Sequence, residues 1–282
     1  MDRVAIVTDS ASDLAPADAN AAGIVLVPLV VRFGDETFKA GVELSAEAFW
    51  VRMTAPDAPF PTTAAASPGD FKAAYDRAFA DGADAIVSVH VAGTLSGAIK
   101  SVHIARDLLA DREIHIVDSG SASMGEGILA IMGTEMARGG TPAAEIAAVL
   151  EDRAADLDLY VALDTLEYLK RGGRIRGASA AIGSILSVKP IITIRNGTVD
   201  VAERVRTRGK ARERVADMLT ARPVERLAVL YTPPGDGVGF RDELLRRLPD
   251  LDPAGVTLQV VGPSVGPHLG PDLVGGVVLY RR

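Results

Sequence analysis

The chain has 282 residues, which is enough for two ordinary domains or one large one. Hydrophobic residues make up 48% of it and charged residues 24%, a composition that indicates a globular protein with a sizeable core and excludes disorder and collagen. Because it has no cysteine, disulfides, thiolate nucleophiles and zinc sites made of thiolates are excluded. The net charge of −7 disfavours nucleic acid as a partner, since such binding depends on neutralising phosphates.

Two apolar stretches are too short to be membrane or export segments. Residues 24–31 contain a proline and are far shorter than the roughly 20 residues of a membrane-spanning helix. Residues 4–8 are too short for a signal peptide. We therefore expect a cytoplasmic protein with no integral membrane segment.

Short β-branched runs alternate with helical segments through the first half of the chain. Ser67-Pro68-Gly69-Asp70 provides an N-cap, a first-turn proline and an acidic third residue for a helix over 71–80. The other predicted elements are strands at 4–8, within 24–33, at 85–91 and at 114–117, and helices at 96–109, at 124–137 and from 141 to about 155. Repeated β-α units predict a mainly parallel sheet.

The second half has a different pattern, so we place a domain boundary near Asp158. Asn196-Gly197 predicts a tight hairpin turn within residues 191–201, because both residues tolerate positive φ. Further predictions are helices at 210–219 and 238–248 and strands at 227–231, 257–261 and 277–280. The predicted fold class is α/β: an N-terminal mainly parallel α/β domain (1–157) followed by a C-terminal α+β domain (158–282) with an antiparallel sheet.

Common catalytic and nucleotide-binding motifs are absent from the sequence. No phosphate-cradling glycine motif follows a predicted strand, and histidines 90, 103, 115 and 268 lack metal-ligand spacing. Only His268 lies in a loop rich in glycine and proline. The string Gly262-Pro-Ser264-Val-Gly266 matches a nucleophile elbow, but the prolines and glycine that follow predict that no helix succeeds it.

Small hydroxyl residues occupy the predicted junctions between strands and helices. They are Thr8 and Ser10, Thr62 and Thr63, Thr94 and Ser96, and Ser119. Because loops after parallel strands meet at one sheet edge, these hydroxyls are candidates for a shared pocket. Ser96-Gly97 also begins a predicted helix, whose N–H groups are suited to an anion. The alternative is that each hydroxyl only caps its helix.

Basic residues are concentrated in two segments despite the acidic total. One holds Lys170, Arg171, Arg174 and Arg176, and the other holds Arg204, Arg206, Arg208, Lys210, Arg212 and Arg214. Alternation predicts Arg204, Arg206 and Arg208 on one strand face, which is either solvated or suited to an acidic partner or a phosphate. The small-residue segment 179–186 is a candidate tunnel lining, with core packing as the alternative.

Several of these segments, in this order, carry a resemblance that covers essentially the whole chain. They are 7–14 (VTDSASDL), Thr63 with 67–71 (SPGDF), 95–97 (LSG) with Ser101, 117–119 (VDS), 169–175 (LKRGGRI), 189–190 (KP) and 266–271 (GPHLGP). On these residues the chain resembles the DegV family, the fatty acid-binding subunits of bacterial fatty acid kinase.

The resemblance implies a fatty acid lying between the two domains, with its tail in the apolar interior. It implies that Thr63 and Ser96-Gly97 bind the carboxylate with His268 nearby, and we add Ser10, Thr94 and Ser119 as a supporting network. Arg174, Arg206 and Arg208 are expected to face the partner or a phosphate.

The resemblance also implies a binding protein rather than an enzyme. A separate ATP-dependent kinase subunit would phosphorylate the bound carboxylate, and the acyl phosphate would enter phospholipid synthesis. No metal or cofactor is expected beyond the bound fatty acid. A tail of ~14 methylenes gains on the order of 11 kcal/mol from burial before association costs are subtracted.

The chain departs from the family pattern around the expected head group site. Ala64, Ala65 and Ala66 replace the family's Ser-Gln-Pro, Ala98 replaces a threonine and Asp272 replaces a glycine. Thr94 is a candidate substitute for one missing hydroxyl. Two other functions stay open at this point: a hydrolase or transferase using Ser96 or Ser264 as nucleophile, and a small-anion or nucleotide-binding module.

Overall fold

The computed structural model of the protein describes residues 3–175 and 188–282. In chain order its strands are β1 (Val4–Asp9), β2 (Ile24–Val27), β3 (Val30–Phe33), β4 (Glu36–Lys39), β5 (Thr62–Ala64), β6 (Ala85–His90), β7 (Glu113–Asp118), β8 (Leu157–Ala162), β9 (Lys189–Arg195), β10 (Thr198–Val205), β11 (Val224–Tyr231), β12 (Val256–Val260) and β13 (Val274–Tyr280). Its helices are α1 (Pro16–Ala22), α2 (Ala46–Met53), α3 (Pro68–Ala80), α4 (Ala98–Asp107), α5 (Met124–Arg138), α6 (Ala143–Ala154), α7 (Glu167–Arg171), α8 (Arg208–Leu219), α9 (Gly237–Arg247) and α10 (Gly266–Leu269). Within these ranges, every helix is too short or too polar to span a bilayer.

The first half forms the mainly parallel sheet that the sequence predicts, with strand order β2-β1-β6-β7. The buried stretch 24–33 is divided at Pro28, which lacks a backbone N–H and interrupts the strand ladder. Its second part, β3, pairs with β4 and β5 in a separate antiparallel sheet of order β4-β3-β5. This small sheet was not predicted.

The second half forms a six-stranded sheet of order β10-β9-β8-β13-β11-β12. It is antiparallel except for β11 and β12, which run parallel and are connected by α9. The predicted hairpin is confirmed, and Asn196 (φ 49°) and Gly197 (φ 71°) form its turn with positive φ angles. The predicted fold class is confirmed, while the boundary between residues 157 and 158 stays a prediction.

One hydrophobic core extends between the two large sheets. Ile6 of the parallel sheet, Met124 of α5 and Leu150 of α6 are buried together with Leu159 and Val277 of the six-stranded sheet. The outer face of the parallel sheet is covered by α3 and α4, and the outer face of the six-stranded sheet by α8 and α9. The inner face of the six-stranded sheet is therefore turned toward the first half of the molecule.

Several helices begin where the sequence predicts, and others begin at a different residue. Ser67 and Asp70 form the predicted capping box at the start of α3. The predicted helix over 96–109 begins two residues later, because Gly97 is the N-cap of α4. In the second half, α8 begins at Arg208 because the Thr207 side chain accepts a hydrogen bond from Lys210 N.

Candidate functional site

A cavity of about 850 Å³, its open mouth included, lies between the two halves of the chain. It is lined by Ala11, Leu29, Thr63, Ala64, Ala65, Val91, Leu95, Ser96, Gly97, Ala122, Ser123, Leu159, Val161, Leu169, Arg174, Ile192, Ile194, Val199, Leu230, Ser264, Val265, His268 and Leu269.

The six-stranded sheet provides one apolar wall of this cavity. Leu159 and Val161 alternate along β8, and Ile192 and Ile194 alternate along β9. Val161 is paired with Ile192 across the two strands, so their side chains share a face. Because successive strand residues point to opposite faces, this alternation places only aliphatic side chains toward the cavity.

Thr63 and His268 meet at the polar part of the cavity. Thr63 Oγ1 and His268 Nε2 are 3.0 Å apart. Thr63 lies on β5, which belongs to the small antiparallel sheet and not to the parallel sheet as the junction argument assumed. His268 lies in the four-residue helix α10. The two residues come together although they belong to different halves of the sequence.

The N-terminus of α4 lies beside β5 in the same part of the cavity. A Cβ atom placed on Gly97 would lie 3.7 Å from Ala65 Cβ, so the two segments are in close proximity. Ser96 Oγ accepts a hydrogen bond from Ala98 N at 3.2 Å, as the capping alternative predicts. Ser96 nonetheless lines the cavity, and the N-terminal end of a helix favours negative charge.

Arg174 also lines the cavity, next to the loop that precedes α4. Its Nε donates to the Leu95 carbonyl at 3.2 Å, and its Nη1 donates to the Gly172 carbonyl at 2.6 Å. These bonds hold the guanidinium next to the loop that precedes α4. The polar end of the cavity, called here the head end, therefore combines a fixed positive charge, a helix N-terminus, two hydroxyls and an imidazole.

The imidazole of His268 is neutral at physiological pH in this arrangement. Burial, together with the charge of Arg174, lowers the pKa of His268 to about 4. Its Nδ1 atom is buried and has no hydrogen-bond partner among the described residues. A Cβ atom on Gly172 would lie 2.1 Å from this nitrogen, so the ring fits closely against the α7 C-terminus. A neutral imidazole can still donate one hydrogen bond to an anion.

The three hydroxyls predicted as a supporting network each have different hydrogen-bond partners in the structure. Ser10 Oγ lies 2.8 Å from Ser264 Oγ and accepts a hydrogen bond from Leu29 N, so it is connected to the cavity lining. Thr94 Oγ1 donates to the Gly197 carbonyl of the hairpin. Ser119 Oγ donates to the Ser121 carbonyl at 3.3 Å. Neither Thr94 nor Ser119 lines the cavity.

The predicted arrangement of Arg204, Arg206 and Arg208 on one strand face is wrong. A register shift interrupts β10 between Val201 and Glu203, and the strand ends at Val205. Arg206 lies exposed in a bend, and Arg208 begins α8. Arg208 forms ion pairs with Asp164 and Asp272. A role for Arg206 or Arg208 toward a partner or phosphate stays a prediction.

The nucleophile-elbow string was expected not to lead into a helix, and this expectation is wrong, because α10 begins at Gly266. The elbow still lacks its catalytic partners among the described residues. Ser264 Oγ is hydrogen-bonded to Ser10, and the nearby imidazole of His268 contacts Thr63 instead. Ser96 Oγ is occupied by a backbone N–H. This geometry does not support serine-dependent catalysis.

A buried polar network at the carboxyl ends of β1 and β6 was not predicted from the sequence. His90 Nδ1 lies 2.8 Å from Asp9 Oδ2, and His90 Nε2 lies 2.7 Å from Ser88 Oγ. Glu126 is fully buried next to Asp9 and accepts a hydrogen bond from Thr8 Oγ1 at 2.7 Å. Asp9, His90 and Glu126 are close enough together to hold a metal ion, but both nitrogens of His90 are already hydrogen-bonded, so an ion would have to replace one of these bonds. We interpret them as a hydrogen-bonded core network.

Two predictions concern residues outside the described ranges. Arg176, from the first basic segment, and residues 179–186, the candidate tunnel lining, both lie between residues 175 and 188. Those predictions stay as they are.

The comparisons with known proteins cover nearly the whole chain. A family model described as "Uncharacterised protein, DegV family" matches residues 3–281. A DegV domain-containing protein from Streptomyces coelicolor is 36% identical over 286 residues, with 99% of each chain covered. A DegV domain-containing protein from Deinococcus radiodurans is 35% identical over 276 residues, with 96% of each chain covered.

Solved structures with the same fold are also similar to this chain. "Fatty Acid Binding of a DegV family Protein from Thermus thermophilus" describes a structure that is 32% identical, with a TM-score of 0.89, covering 99% of this chain and 100% of that one. DegV, a fatty acid binding protein from Bacillus subtilis, is 28% identical, with a TM-score of 0.86 and 99% of each chain covered. From the full-length family match and these identities, the chain belongs to the DegV family.

Proposed function

We propose that the chain binds a long-chain fatty acid in the cavity between its two halves. The carboxylate lies against Thr63 and the Ser96-Gly97 helix start, with His268 beside it, and the tail extends along the aliphatic wall of β8 and β9. The observation that carries this proposal is the cavity itself, which joins a wall of aliphatic side chains to a small polar cluster. Fatty acid binding by the relatives from Thermus thermophilus and Bacillus subtilis supports it.

The polar cluster fits a carboxylate for electrostatic reasons. A buried anion needs hydrogen-bond donors to replace water, and the cluster provides hydroxyl, imidazole and backbone N–H groups. The tail contributes most of the affinity, because each buried methylene adds ~0.8 kcal/mol. The hydroxyls and the imidazole then set the position and direction of the head group.

We further propose that the bound carboxylate is presented to a separate ATP-dependent kinase subunit, which forms the acyl phosphate. On this proposal the chain alone has no phosphoryl-transfer activity. Its cytoplasmic location stays a prediction. The sequence lacks a recognisable nucleotide-binding motif, in agreement with such a division of roles. Arg174 and the exposed Arg206 are the candidate contacts to the partner.

The experiment is reconstitution of the delipidated chain with oleate, ATP and a bacterial fatty acid kinase subunit, with acyl phosphate trapped by hydroxylamine. The chain without kinase is expected to give no product. His268→Ala is expected to stay folded with a nearly unchanged melting temperature and to lose product formation. His103→Ala is the matched control, because His103 is an exposed histidine on α4, and this variant is expected to keep product formation. Product from the chain and ATP alone, with contaminating kinase excluded, would contradict the proposal.

A further inference from the structure

Residues 261–270, called here the His268 loop, carry Ser264 and His268 into the cavity. Side chains from distant parts of the sequence hold the first part of this loop. Trp50 Nε1 donates to the Val261 carbonyl at 2.8 Å. Gly262 N donates to Asp13 Oδ1, also at 2.8 Å. The position of His268 therefore depends on contacts made before α10 begins.

Asp13 connects this loop to Ser123, another residue of the cavity lining. Its second oxygen, Oδ2, accepts a hydrogen bond from Ser123 Oγ at 2.5 Å, and Ser123 lines the cavity. Asp13 is 5% exposed, so both bonds are sheltered from water. One carboxyl group thus joins the turn at Gly262 to the N-terminus of α5. Removing it would leave the buried hydroxyl of Ser123 and the N–H of Gly262 without that acceptor.

The backbone at Asp13 also indicates that this residue is held in place. Asp13 has a φ of 56° and Ser123 a φ of 56°, both in the region that non-glycine residues seldom adopt. Such conformations persist where surrounding contacts fix them. Here the two residues with positive φ are bonded to each other across the cavity wall.

Trp50 is the only tryptophan of the chain, which makes it a reporter for the His268 loop. It is 2% exposed. A Cβ atom on Gly266 would lie 2.6 Å from Phe49 Cε1 and 2.9 Å from Trp50 Cζ2, so the loop is packed directly against both rings. A displacement of residues 261–266 therefore changes the environment of the indole.

We propose that Asp13 is a positioning residue for the fatty acid site: it fixes the His268 loop to the cavity wall, so that His268 stays over the head group and the ligand is retained. This inference rests on the proposed function. Asp13 does not line the cavity and needs no contact with the ligand. It holds the His268 loop in place through its hydrogen bonds to Gly262 N and Ser123 Oγ.

The test compares Asp13→Ala with Asp13→Asn. Alanine removes both hydrogen bonds. Asparagine keeps the shape, tolerates positive φ and offers an oxygen to Gly262 and an amide to Ser123. Because burial raises the pKa of Asp13 to about 7, the amide is also a close substitute for the protonated carboxyl. Asp57→Ala is the matched control, since Asp57 also has positive φ (59°) but is exposed.

Two readouts are measured on folded protein: the dissociation rate of cis-parinaric acid and the quenching of Trp50 by acrylamide. Asp13→Ala is expected to release the probe at least about fivefold faster and to increase quenching. Asp13→Asn is expected to keep the dissociation rate and the quenching within about twofold of wild type, and Asp57→Ala is expected to behave as wild type. If Asp13→Ala does not fold, Gly262→Ala replaces it, because its Cβ would lie 3.1 Å from Asp13 Oδ1, so that the contact between Gly262 and Asp13 has to lengthen by a few tenths of an ångström.

A folded Asp13→Ala with wild-type release and wild-type quenching would overturn the inference, even if its melting temperature were lower. So would a failure of Asp13→Asn to restore either property. If the wild type itself retains no cis-parinaric acid, the proposed function fails. The positioning of the loop is then decided by Trp50 quenching and by the NMR signals of the His268 ring, which shift in Asp13→Ala if the inference is correct.

Discussion

Thr63 Oγ1 and His268 Nε2 lie 3.0 Å apart, although 205 positions separate the two residues in the chain. The contact joins strand β5 of the small sheet to helix α10. The start of α4, with Ser96 and Gly97, completes the same polar cluster. The cluster of Thr63, His268 and Ser96-Gly97 is thus assembled from three separate segments, and each can be tested on its own.

Replacing Thr63 or Ser96 by alanine is expected to weaken fatty acid binding without unfolding the protein. Each substitution removes one hydrogen bond to a charged group, worth about 1 to 3 kcal/mol, which corresponds to roughly 5- to 150-fold in Kd. Titration of delipidated protein with a fluorescent fatty acid measures the change. Thr62→Ala, an exposed neighbour on β5, is the control and should bind normally. Full affinity in both Thr63→Ala and Ser96→Ala would remove these residues from the carboxylate site.

The His268 imidazole is expected to titrate with a midpoint near pH 4 in the ligand-free protein, because burial and Arg174 lower its pKa to about 4. A fatty acid carboxylate placed beside it favours the charged imidazole, so binding should raise this midpoint. Two-dimensional NMR of the ring protons, assigned with His268→Ala, follows both titrations. A midpoint near the ordinary value of about 6.5 without ligand would contradict the buried geometry.

Glu126→Gln is expected to change how stability depends on pH. Burial, reinforced by the neighbouring Asp9, raises the pKa of Glu126 well above its ordinary value. The folded state therefore keeps a proton that the unfolded state has lost, and this carboxyl's contribution to stability disappears as pH rises through the folded pKa. Glutamine does not ionise, so urea denaturation from pH 5 to 8 should favour the variant increasingly at higher pH. Parallel pH profiles of the two proteins would show that Glu126 does not titrate as its burial implies.

Asp272 combines a positive φ of 62° with an ion pair to Arg208. In Asp272→Gly the relief of backbone strain and the loss of a partly exposed ion pair oppose each other, so the free energy of unfolding should stay within about 1 kcal/mol of wild type. In Asp272→Ala the strain remains and the pair is lost, and we expect a loss of about 1 to 2 kcal/mol. Chemical denaturation separates the two variants. Equal losses in both would show that backbone strain at this position is negligible.

Local signals in the sequence predicted most of the fold. The capping box of Ser67 and Asp70 and the turn at Asn196-Gly197 act over a few residues, so their patterns are visible in the sequence. The division at Pro28 was missed, because a continuous apolar run does not reveal that its two parts join different sheets. The strand predicted through Arg206 and Arg208 was wrong because β10 ends at Val205 and Thr207 caps α8, which begins at Arg208, and the alternation of basic residues does not show where the strand ends.

The candidate site was predictable only in part. The hydroxyl pattern and the family resemblance pointed to Thr63, Ser96 and His268, and all three line one cavity. The segment 7–14 that carries the resemblance includes Asp13, but neither signal indicated its contact with Ser123, which spans 110 positions of the chain. Thr94 and Ser119 had the same sequence signal as Ser96, but their side chains bind backbone carbonyls elsewhere. A hydroxyl at a strand end does not reveal which way it points.

Mass spectrometry of the lipid extracted from purified protein tests the central claim most directly. The protein is purified from a bacterial host without detergent, denatured in organic solvent, and its fatty acids are quantified by gas chromatography and mass spectrometry. We predict close to one long-chain fatty acid per chain for the wild type, and a markedly lower amount for a variant lacking both Thr63 and Ser96 hydroxyls. No fatty acid above the background of an unrelated protein purified in parallel, together with no uptake of added oleate, would contradict the account.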